Sequence, residues 1–379
     1  MVIRAVNNVT HGDHNMGYKE QSHVEDTHKT INEAINNIKD TSKHIISINK
    51  TMIKNLRELE LHLINIQSMK HRNLNRKFLT IFTTFSEREP SRFPIQNNTI
   101  CNYNNFPKNT TNIAIFSSKH FKLPVKDGAC ISGNKPVFNS NWRIIELMAN
   151  MTAGSRPVLR QMFLESQRRF NTDLYMYSNG DILFHIGKLI TSLQAIQNFT
   201  KLHKIESYIV FGLRLEANFS KQDKHIKSGS EEEITQHSIG AKMGKDNAQD
   251  YFITSRTSFP WCSVPDFVVS LPAYDNWLLM YSNKARIATF DITETTLALH
   301  QAGPKKLKDK IYLNADKNNN MLWKESVISH KGATVKCCKW KTVYKDNKID
   351  IVKNPKFNKE CIAHLKIPVI NILDETKAK

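Results

Sequence analysis

The sequence LYMYSNGDILF, residues 174–184, carries the pattern that decides the fold. An apolar and aromatic run ends in the turn Asn179-Gly180-Asp181, and a second apolar segment, 182–196, begins directly after it. A strand that passes through a polar turn into a helix is typical of a parallel α/β sheet, where ligands bind beyond the carboxyl ends of the strands. We therefore expect Asp181 at a ligand-binding edge, with Gly180 allowing the backbone to approach the ligand. A plain turn in which Asp181 caps the helix 182–196 is the alternative.

The composition indicates a large globular protein with anionic partners. The chain has 379 residues, with 54 Lys and Arg against 35 Asp and Glu, and much of the excess lies in residues 301–379. Such a surface favours phosphates, nucleotide sugars or acidic glycans, although a lysine-rich solvated surface without a dedicated partner is the alternative. Because basic and aromatic residues do not alternate as they do in single-strand binders, we do not expect nucleic acid to be the partner. The sequence contains neither a GxGxxG pattern nor a Walker loop.

The cysteines and the N-terminal region bear on the cellular compartment. The six cysteines show no metal-ligand spacing, and the sequence leaves open whether they form disulfides. Seven Asn-x-Ser/Thr sites occur in a chain rich in asparagine, so chance accounts for several of them. The first 25 residues are polar and read as flexible, and the sequence predicts neither a signal peptide nor a transmembrane segment.

Residues 26–72 contain the clearest periodic signal in the chain. Two series of residues recur every seven positions, with Ile31, Ile38, Ile45, Met52, Leu59 and Ile66 at d and Ile35, Ser42, Asn49, Leu56 and Leu63 at a. The period predicts a coiled-coil helix over about five heptads, in which Asn49 would fix the register. We expect a homo-oligomer that associates through residues 31–66. A single amphipathic helix lying on the globular domain is the alternative.

The rest of the chain alternates between strand and helix patterns. Strands are predicted at 78–85, 112–117, 174–178, 207–212, 250–254 and 286–291, and in the tail at 334–335, 349–352 and 367–372. Helices are predicted at 158–170, 182–196 and 293–300, a short helix and loop at 95–106, and a polar loop at 219–247. This order predicts a three-layer α/β domain.

Six motifs, taken in order, resemble an uncharacterised eukaryotic family of proteins similar to nucleotide-diphospho-sugar transferases of the GT-A fold. They are FLTIFTTF (78–85), RPVLRQMF (156–163), YMYSNGDILF (175–184), SYIVFGLR (207–214), PAYDNWLL (272–279) and DITETTLALHQ (291–301). The resemblance implies a GT-A-like Rossmann-type sheet over 77–300, with 301–379 as an extension that packs on or completes it. It also implies a UDP- or GDP-sugar donor, a glycan or protein acceptor, and a divalent metal, Mn²⁺ or Mg²⁺.

The same resemblance implies roles for particular residues. Asp181 would bind the metal, and His300 would be a later metal ligand, although a cap or core histidine is the alternative. Arg214 would meet the diphosphate or form a surface salt bridge. Asp275 would position or deprotonate the acceptor hydroxyl, or else belong to a structural turn. The residues expected to line the donor and acceptor sites are Asn179, Gly180, Arg214, Tyr274, Asn276 and Trp277, with Asp250 ranked lower.

Departures from the family pattern leave a second function open. The family pattern has Gly-Arg before the proline of PAYDNWLL and two arginines after the strand 207–212, whereas this chain has Ser270-Leu271 and Leu213-Arg214. In addition, GT-A enzymes commonly present Asp-x-Asp to the metal, whereas this chain has Asn179-Gly180-Asp181, with one carboxylate. We therefore expect a glycosyltransferase, with a catalytically inactive binding or scaffold protein as the alternative. The resemblance implies the secretory pathway or Golgi lumen and an N-terminal anchor. Because the sequence predicts no such segment, either the anchor is missing from this sequence or the protein is cytoplasmic.

Overall fold

The computed structural model describes residues 18–70, 76–86, 89–118, 121–123, 130–132, 135–153, 156–217, 225–271, 274–301 and 334–362. Contacts divide the chain into two compact units, Met1–Leu63 and Ile64–Lys379. The flexible stretch predicted for 1–25 falls largely outside the described residues, as does the strand predicted at 367–372.

The helices and strands are numbered here along the chain. The helices are α1 Tyr18–Lys70, α2 Phe93–Tyr103, α3 Leu159–Arg169, α4 Ile186–Leu202, α5 Glu231–Ser238 and α6 Tyr274–Lys284. The longer strands are β1 Lys77–Thr84, β2 Thr111–Ser117, β5 Trp142–Glu146, β8 Thr172–Ser178, β10 Tyr208–Gly212, β13 Tyr251–Ser255, β14 Ala288–Asp291, β15 Ala298–Gln301, β16 Trp340–Lys345 and β17 Lys348–Lys353. The short strands are β3 Ile131–Ser132, β4 Lys135–Pro136, β6 Thr152–Ala153, β7 Arg156–Pro157, β9 Ile182–Phe184, β11 Leu215–Ala217 and β12 Lys242–Met243.

The described part of the first unit consists of residues 18–63 of the long helix α1. This helix has 53 residues and a length of about 80 Å at 1.5 Å per residue. The apolar residues of its heptad series from Ile31 to Leu59 are exposed, from 39% for Ile35 to 69% for Ile38. A helix is therefore present where the heptads predicted one, and the structure shows its apolar stripe facing solvent. None of the helices in the described part of the chain has both the length and the apolar character needed to cross a bilayer.

The second unit is built on a nine-stranded sheet of order β17-β16-β14-β10-β13-β8-β1-β2-β5. Seven of these strands run in one direction, and β13 and β17 run against their neighbours. The predicted large, mostly parallel sheet is confirmed. Residues 334–362 contribute β16 and β17 to this sheet, because β16 pairs in parallel with β14.

Two apolar layers cover the two faces of the sheet, as alternation along its strands requires. In β8, Tyr175 and Tyr177 belong to one layer, which also contains α3 and α6 residues. Leu174 and Met176 belong to the other layer, with α2 and α4 residues. All four side chains are at most 2% exposed. The three-layer α/β architecture is therefore confirmed.

A smaller sheet of order β12-β11-β15-β9 lies at the end of β8. It corrects two predictions. The segment after Asp181 does not pass straight into a helix, because β9 intervenes and α4 begins only at Ile186. Residues 293–300 do not form a helix, because they form a turn and then β15, which pairs with β9 and β11.

The structure confirms two of the predicted helices and corrects one predicted loop and one predicted strand. The helix predicted at 158–170 is confirmed by α3, and the helix of 95–106 by α2. The loop predicted at 219–247 contains α5 and β12, and the strand predicted at 334–335 is a 3₁₀ turn, Val335–Cys337. Two disulfides join Cys101 to Cys130 and Cys337 to Cys361.

Candidate functional site

Charged side chains meet at the edge of the large sheet where its parallel strands end. β8 leads to Asp181, and β10 leads to Arg214. Asp250 precedes β13, which runs in the opposite direction and therefore begins at this edge. Tyr251, the first residue of β13, lies opposite Ser178, the last residue of β8. This is the edge at which open α/β sheets bind ligands.

Asp181 forms a buried ion pair with an arginine that the sequence analysis did not single out. Arg92 Nη2 donates to Asp181 Oδ2 at 2.6 Å, and the two side chains are 11% and 10% exposed. Arg92 ends a 3₁₀ turn, Pro90–Arg92, between β1 and α2. The carboxylate at the end of β8 therefore already has one cation beside it.

Gly180 is required for a reason other than the predicted approach to a ligand. A Cβ atom at this position would lie 2.7 Å from the Thr84 carbonyl oxygen and 2.7 Å from the Phe85 ring. The Gly180 carbonyl oxygen accepts a hydrogen bond from Thr99 Oγ1 at 2.9 Å. The glycine lets the end of β1 pass close to the turn after β8, so its role here is packing.

β15 carries His300 to Asp181. His300 lies opposite Ile182 on β9 and Glu216 on β11, and the next residue, Gln301, donates its backbone N–H to the Asp181 carbonyl oxygen at 3.0 Å. Backbone pairing of the small sheet therefore sets the place of His300. The structure brings together the two residues predicted as metal ligands, although they are far apart in the sequence.

The His300 ring lies between two carboxylates. Nδ1 is 2.7 Å from Glu216 Oε2, and Nε2 is 3.5 Å from Asp181 Oδ2. Because an ionised carboxylate only accepts hydrogen bonds, Nδ1 carries a proton. Nε2 then either carries a second proton, or is unprotonated and can bind a cation together with Asp181. Burial lowers the pKa of His300, but the hydrogen bonds and charges of Asp181 and Glu216 outweigh it, and the pKa is raised above its ordinary value.

Arg214 joins Glu216 to a third acid. It forms an ion pair with Glu216 at 3.0 Å and another with Asp250, and Nη1 also donates to the Ala248 carbonyl oxygen at 3.0 Å. Its side chain is only 13% exposed. The alternative of a salt bridge at the surface is therefore wrong, because the Arg214 side chain is largely buried between Glu216 and Asp250. Cations and acids alternate from Arg92 through Asp181, His300, Glu216, Arg214 and Asp250; we call these six residues the charged chain.

Asp250 is the acid with the most strongly raised pKa at this edge. Burial raises its pKa to about 7, against the opposing charge of Arg214. Asn179 Nδ2 donates to Asp250 Oδ1 at 2.6 Å, and Asn179 Oδ1 accepts from Tyr177 at 2.7 Å and from Tyr274 at 3.2 Å. Asn179 and Tyr274, both predicted to line a ligand site, thus act on Asp250 by fixing its orientation.

Asp275 lies in the first turn of α6 and close to Asp250. Its Oδ2 accepts the backbone N–H of Gln249 at 3.0 Å, and further backbone N–H groups at the start of α6 contact the carboxylate. Burial raises its pKa to about 6, while these hydrogen bonds act in the opposite direction. Asp275 therefore ties the start of α6 to the segment that carries Asp250. The alternative of a structural turn with a buried Trp is wrong about the turn, since Tyr274-Asp275-Asn276-Trp277 opens a helix, but Trp277 is buried as that alternative expected.

Two other residues of the motif contact protein groups. Asn276 Nδ2 donates to the Asn247 carbonyl oxygen at 2.8 Å. Trp277 is 1% exposed and its ring stacks on Tyr281 with centroids 4.6 Å apart. The Trp277 ring is therefore buried against protein groups and leaves no face for a sugar.

The donor atoms at Asp181 and His300 suit a divalent cation. Glu216 accepts a hydrogen bond from Nδ1 of His300, as carboxylates commonly do from the second ring nitrogen of metal-binding histidines. Within the described ranges, no three His, Cys, Asp or Glu side chains are grouped closely enough to hold a metal ion by themselves. A cation would therefore complete its shell with phosphate oxygens and water, as Mg²⁺ commonly does. Arg92 contacts the same Asp181 oxygen, so a cation there requires Arg92 to shift.

Sequence reasoning missed Arg92 and Glu216. Arg92 belongs to a polar stretch of sequence that has no periodicity, and Glu216 lies in the three-residue strand β11. Their proximity to Asp181 and His300 depends on pairing between distant segments. A local signal for them does not exist beyond their charge.

Comparisons with known proteins add only weak likenesses to solved structures. A scan of protein-family models and a search of curated proteins found no match. Among solved structures, the chain is similar to the mannosyltransferase PcManGT from Pyrobaculum calidifontis, in complex with GDP-Man and Mn²⁺, with 7% identity, 68% of each chain covered and a TM-score of 0.31. A likeness at this level carries no argument about activity. The charged chain at the end of a mostly parallel sheet is the feature from which function has to be inferred.

Proposed function

We propose that the protein is a glycosyltransferase that moves a sugar from a UDP- or GDP-sugar to a hydroxyl of a glycan or protein acceptor. One observation carries the proposal: Asp181 and His300, backed by Glu216, face each other where the parallel strands end. A carboxylate and an oriented imidazole at that edge are suited to a divalent cation and the diphosphate bound to it.

The cation, Mn²⁺ or Mg²⁺, would neutralise charge on the leaving diphosphate. The protein's own cations would assist. Arg92 and Arg214 are both held in the charged chain, and a guanidinium presents a fork of donors that matches phosphate. Arg214 Nε is buried and has no hydrogen-bond partner among the described residues, which leaves a donor for a ligand oxygen or water.

We assign the acceptor side of the site to Asp275, with Asp250 as its neighbour. A general base works best with a pKa near the working pH, and burial raises the pKa of these acids to about 6 and about 7. Asp275 would accept the proton of the acceptor hydroxyl in an inverting transfer. Asn179, Tyr274 and Asn276 would hold these acids and their loop in place.

An oxidising compartment is consistent with this function. The disulfides Cys101–Cys130 and Cys337–Cys361 are of the kind that persists in secreted and secretory-pathway proteins. We therefore propose the secretory pathway, including the Golgi lumen, as the place of action.

A non-catalytic binding or scaffold role is the second candidate, and a specific observation favours it. Three cations and three acids of the charged chain already pair with one another, so the site is electrostatically satisfied without a ligand. A donor must therefore replace existing ion pairs. A protein that has lost catalysis could retain this network for stability alone.

Thermal unfolding of the full chain with UDP- and GDP-sugars, with and without Mn²⁺, separates the two functions. We expect one nucleotide sugar to raise Tm only when Mn²⁺ is present. Asp181→Asn should abolish that shift, because it removes the carboxylate charge. Asp266→Asn is the matched control, since Asp266 pairs with Arg160 outside the charged chain.

Turnover of a donor found in this way tests Asp275. Asp275→Asn should lower kcat while the Mn²⁺-dependent Tm shift is kept. If no nucleotide sugar shifts Tm in either condition, the transferase is wrong and the binding or scaffold role is favoured.

A further inference from the structure

The apolar stripe of α1 is a surface that the proposed transferase does not use. Seven apolar residues at its a and d positions are 39–69% exposed: Ile31, Ile35, Ile38, Ile45, Met52, Leu56 and Leu59. Three further isoleucines at the flanking e and g positions, Ile46, Ile48 and Ile53, are 48–53% exposed. Scattered exposed apolar residues are ordinary, but a continuous stripe of this length marks an interaction surface.

We infer that α1 binds further copies of this chain in a parallel, in-register coiled coil. A strict period of seven residues is the signature of a supercoiled seam, because an isolated helix with 3.6 residues per turn would let the stripe drift around its surface. The stripe keeps this period across the described side chains from Ile31 to Leu59.

The exposed area is sufficient for a stable interface. The ten residues together expose on the order of 1,000 Å² per helix, against roughly 800 Å² that each partner buries in a stable protein–protein interface. The isoleucines at e and g broaden the seam at its centre, where the d residues are Ile45 and Met52. A second copy of the same stripe presents matching apolar area.

Asn49 selects the parallel arrangement. It is an exposed residue at an a position. In a parallel, in-register coil it faces the Asn49 of the second copy, and the two amides can hydrogen-bond. In an antiparallel coil an a residue faces a d residue, and the d positions from Ile31 to Ile66 are all apolar. Asn49 would then be buried without a polar partner, which costs free energy.

The flanking charges permit the parallel coil. In that arrangement a g residue meets the e residue five positions later on the second copy. The described pairs are Ala34 with Lys39, Thr41 with Ile46, Ile48 with Ile53, and Asn55 with Glu60. No pair brings like charges together, and Ile48 with Ile53 extends the apolar seam. Charge therefore does not oppose association.

The mass of the full chain in solution tests the association. We expect sedimentation equilibrium to give at least two chains, and the variant Ile38→Glu with Ile45→Glu to give one. The matched control is Asn37→Glu with Ser47→Glu, which adds the same charges at the c and f positions and should keep the wild-type mass. A wild type that sediments as one chain at every concentration overturns the inference, and so does an equal mass for the two double variants.

Cysteine cross-linking tests the direction. In the parallel coil, Ile45 lies beside Ile45 of the other copy, so Ile45→Cys should form a covalent dimer without reductant. Ser47→Cys, on the outer face, should not. Cross-linking only in a mixture of Ile45→Cys and Leu56→Cys chains would show an antiparallel coil and overturn the parallel arrangement. Failure of nucleotide-sugar binding would leave both measurements unaffected, because they concern α1 alone.

Discussion

The charged chain and the apolar stripe of α1 are opposite in what they bury and what they expose to water. In the charged chain, groups that are costly to bury are largely removed from water, with Glu216 the most exposed at 39%, and each is paired with its opposite. On α1, groups that are costly to expose lie in water, and the described part of the chain does not cover them. The first region is complete within one chain, so single substitutions there should damage the fold. The second region is completed by a partner, so substitutions there should change assembly and spare the fold.

The largest expected effect comes from breaking matched ion pairs in the two regions. Asp181→Ala leaves Arg92 buried without its partner, and loss of one member of a buried pair costs about 3–5 kcal/mol of unfolding free energy. Asp40→Ala removes the partner of Lys43 on α1, where the side chains are 74% and 78% exposed, and should change stability by less than about 0.5 kcal/mol. Urea unfolding of both variants measures the difference. Equal losses would contradict the contrast between the two regions.

The second comparison uses one residue type in both regions. Ile81 in β1 is 0% exposed, and Ile81→Ala should cost about 3 kcal/mol through lost burial and a cavity. Ile38 on α1 is 69% exposed, so Ile38→Ala should leave the unfolding of the sheet domain unchanged. Its effect should be seen in the concentration at which chains associate. A large shift of the sheet-domain transition in Ile38→Ala would show that the stripe serves the fold.

The smallest expected effect is a dependence on pH that only the buried region should show. Burial raises the pKa of Asp250 to about 7, so the folded state holds this proton more tightly than the unfolded state does. Stability is therefore lost as the pH rises from about 4 to about 7. Asp250→Asn removes the titration. The free energy of unfolding of the variant should therefore rise, relative to that of the wild type, by at least about 1 kcal/mol as the pH increases across this range. A constant difference between the two proteins would show that Asp250 ionises in its ordinary range.

Sequence reasoning succeeded where the signal was local and repeated. The apolar run before Asn179 predicts β8, and the spacing of Val158, Met162 and Phe163 predicts α3. The heptads predict a helix, which α1 provides. In each case the pattern is long enough for periodicity to exceed chance, because one face of the element is apolar and the other is not.

The small sheet could not be predicted for a physical reason. β9 has three residues, too few to show a period, and β15 follows a segment whose apolar residues also suit a helix. Their identity as strands comes from pairing between Ile182 and His300, which lie far apart along the chain. Arg92 and Glu216 were missed for the same reason, because their partners in the charged chain are also distant.

Backbone pairing between β9 and β15 has a consequence for how such a site can diverge. The distance between positions 181 and 300 is fixed by main-chain hydrogen bonds, including the one from Gln301 to Asp181, which any side chain at either position preserves. Side chains at this edge can therefore be exchanged on an unchanged main-chain frame, provided that the rest of the fold supplies the stability lost with each ion pair. A replacement of His300 by a carboxylate or an amide would alter which ions the edge accepts while the geometry is inherited. A change in the charge of this edge therefore does not have to begin with a change of fold.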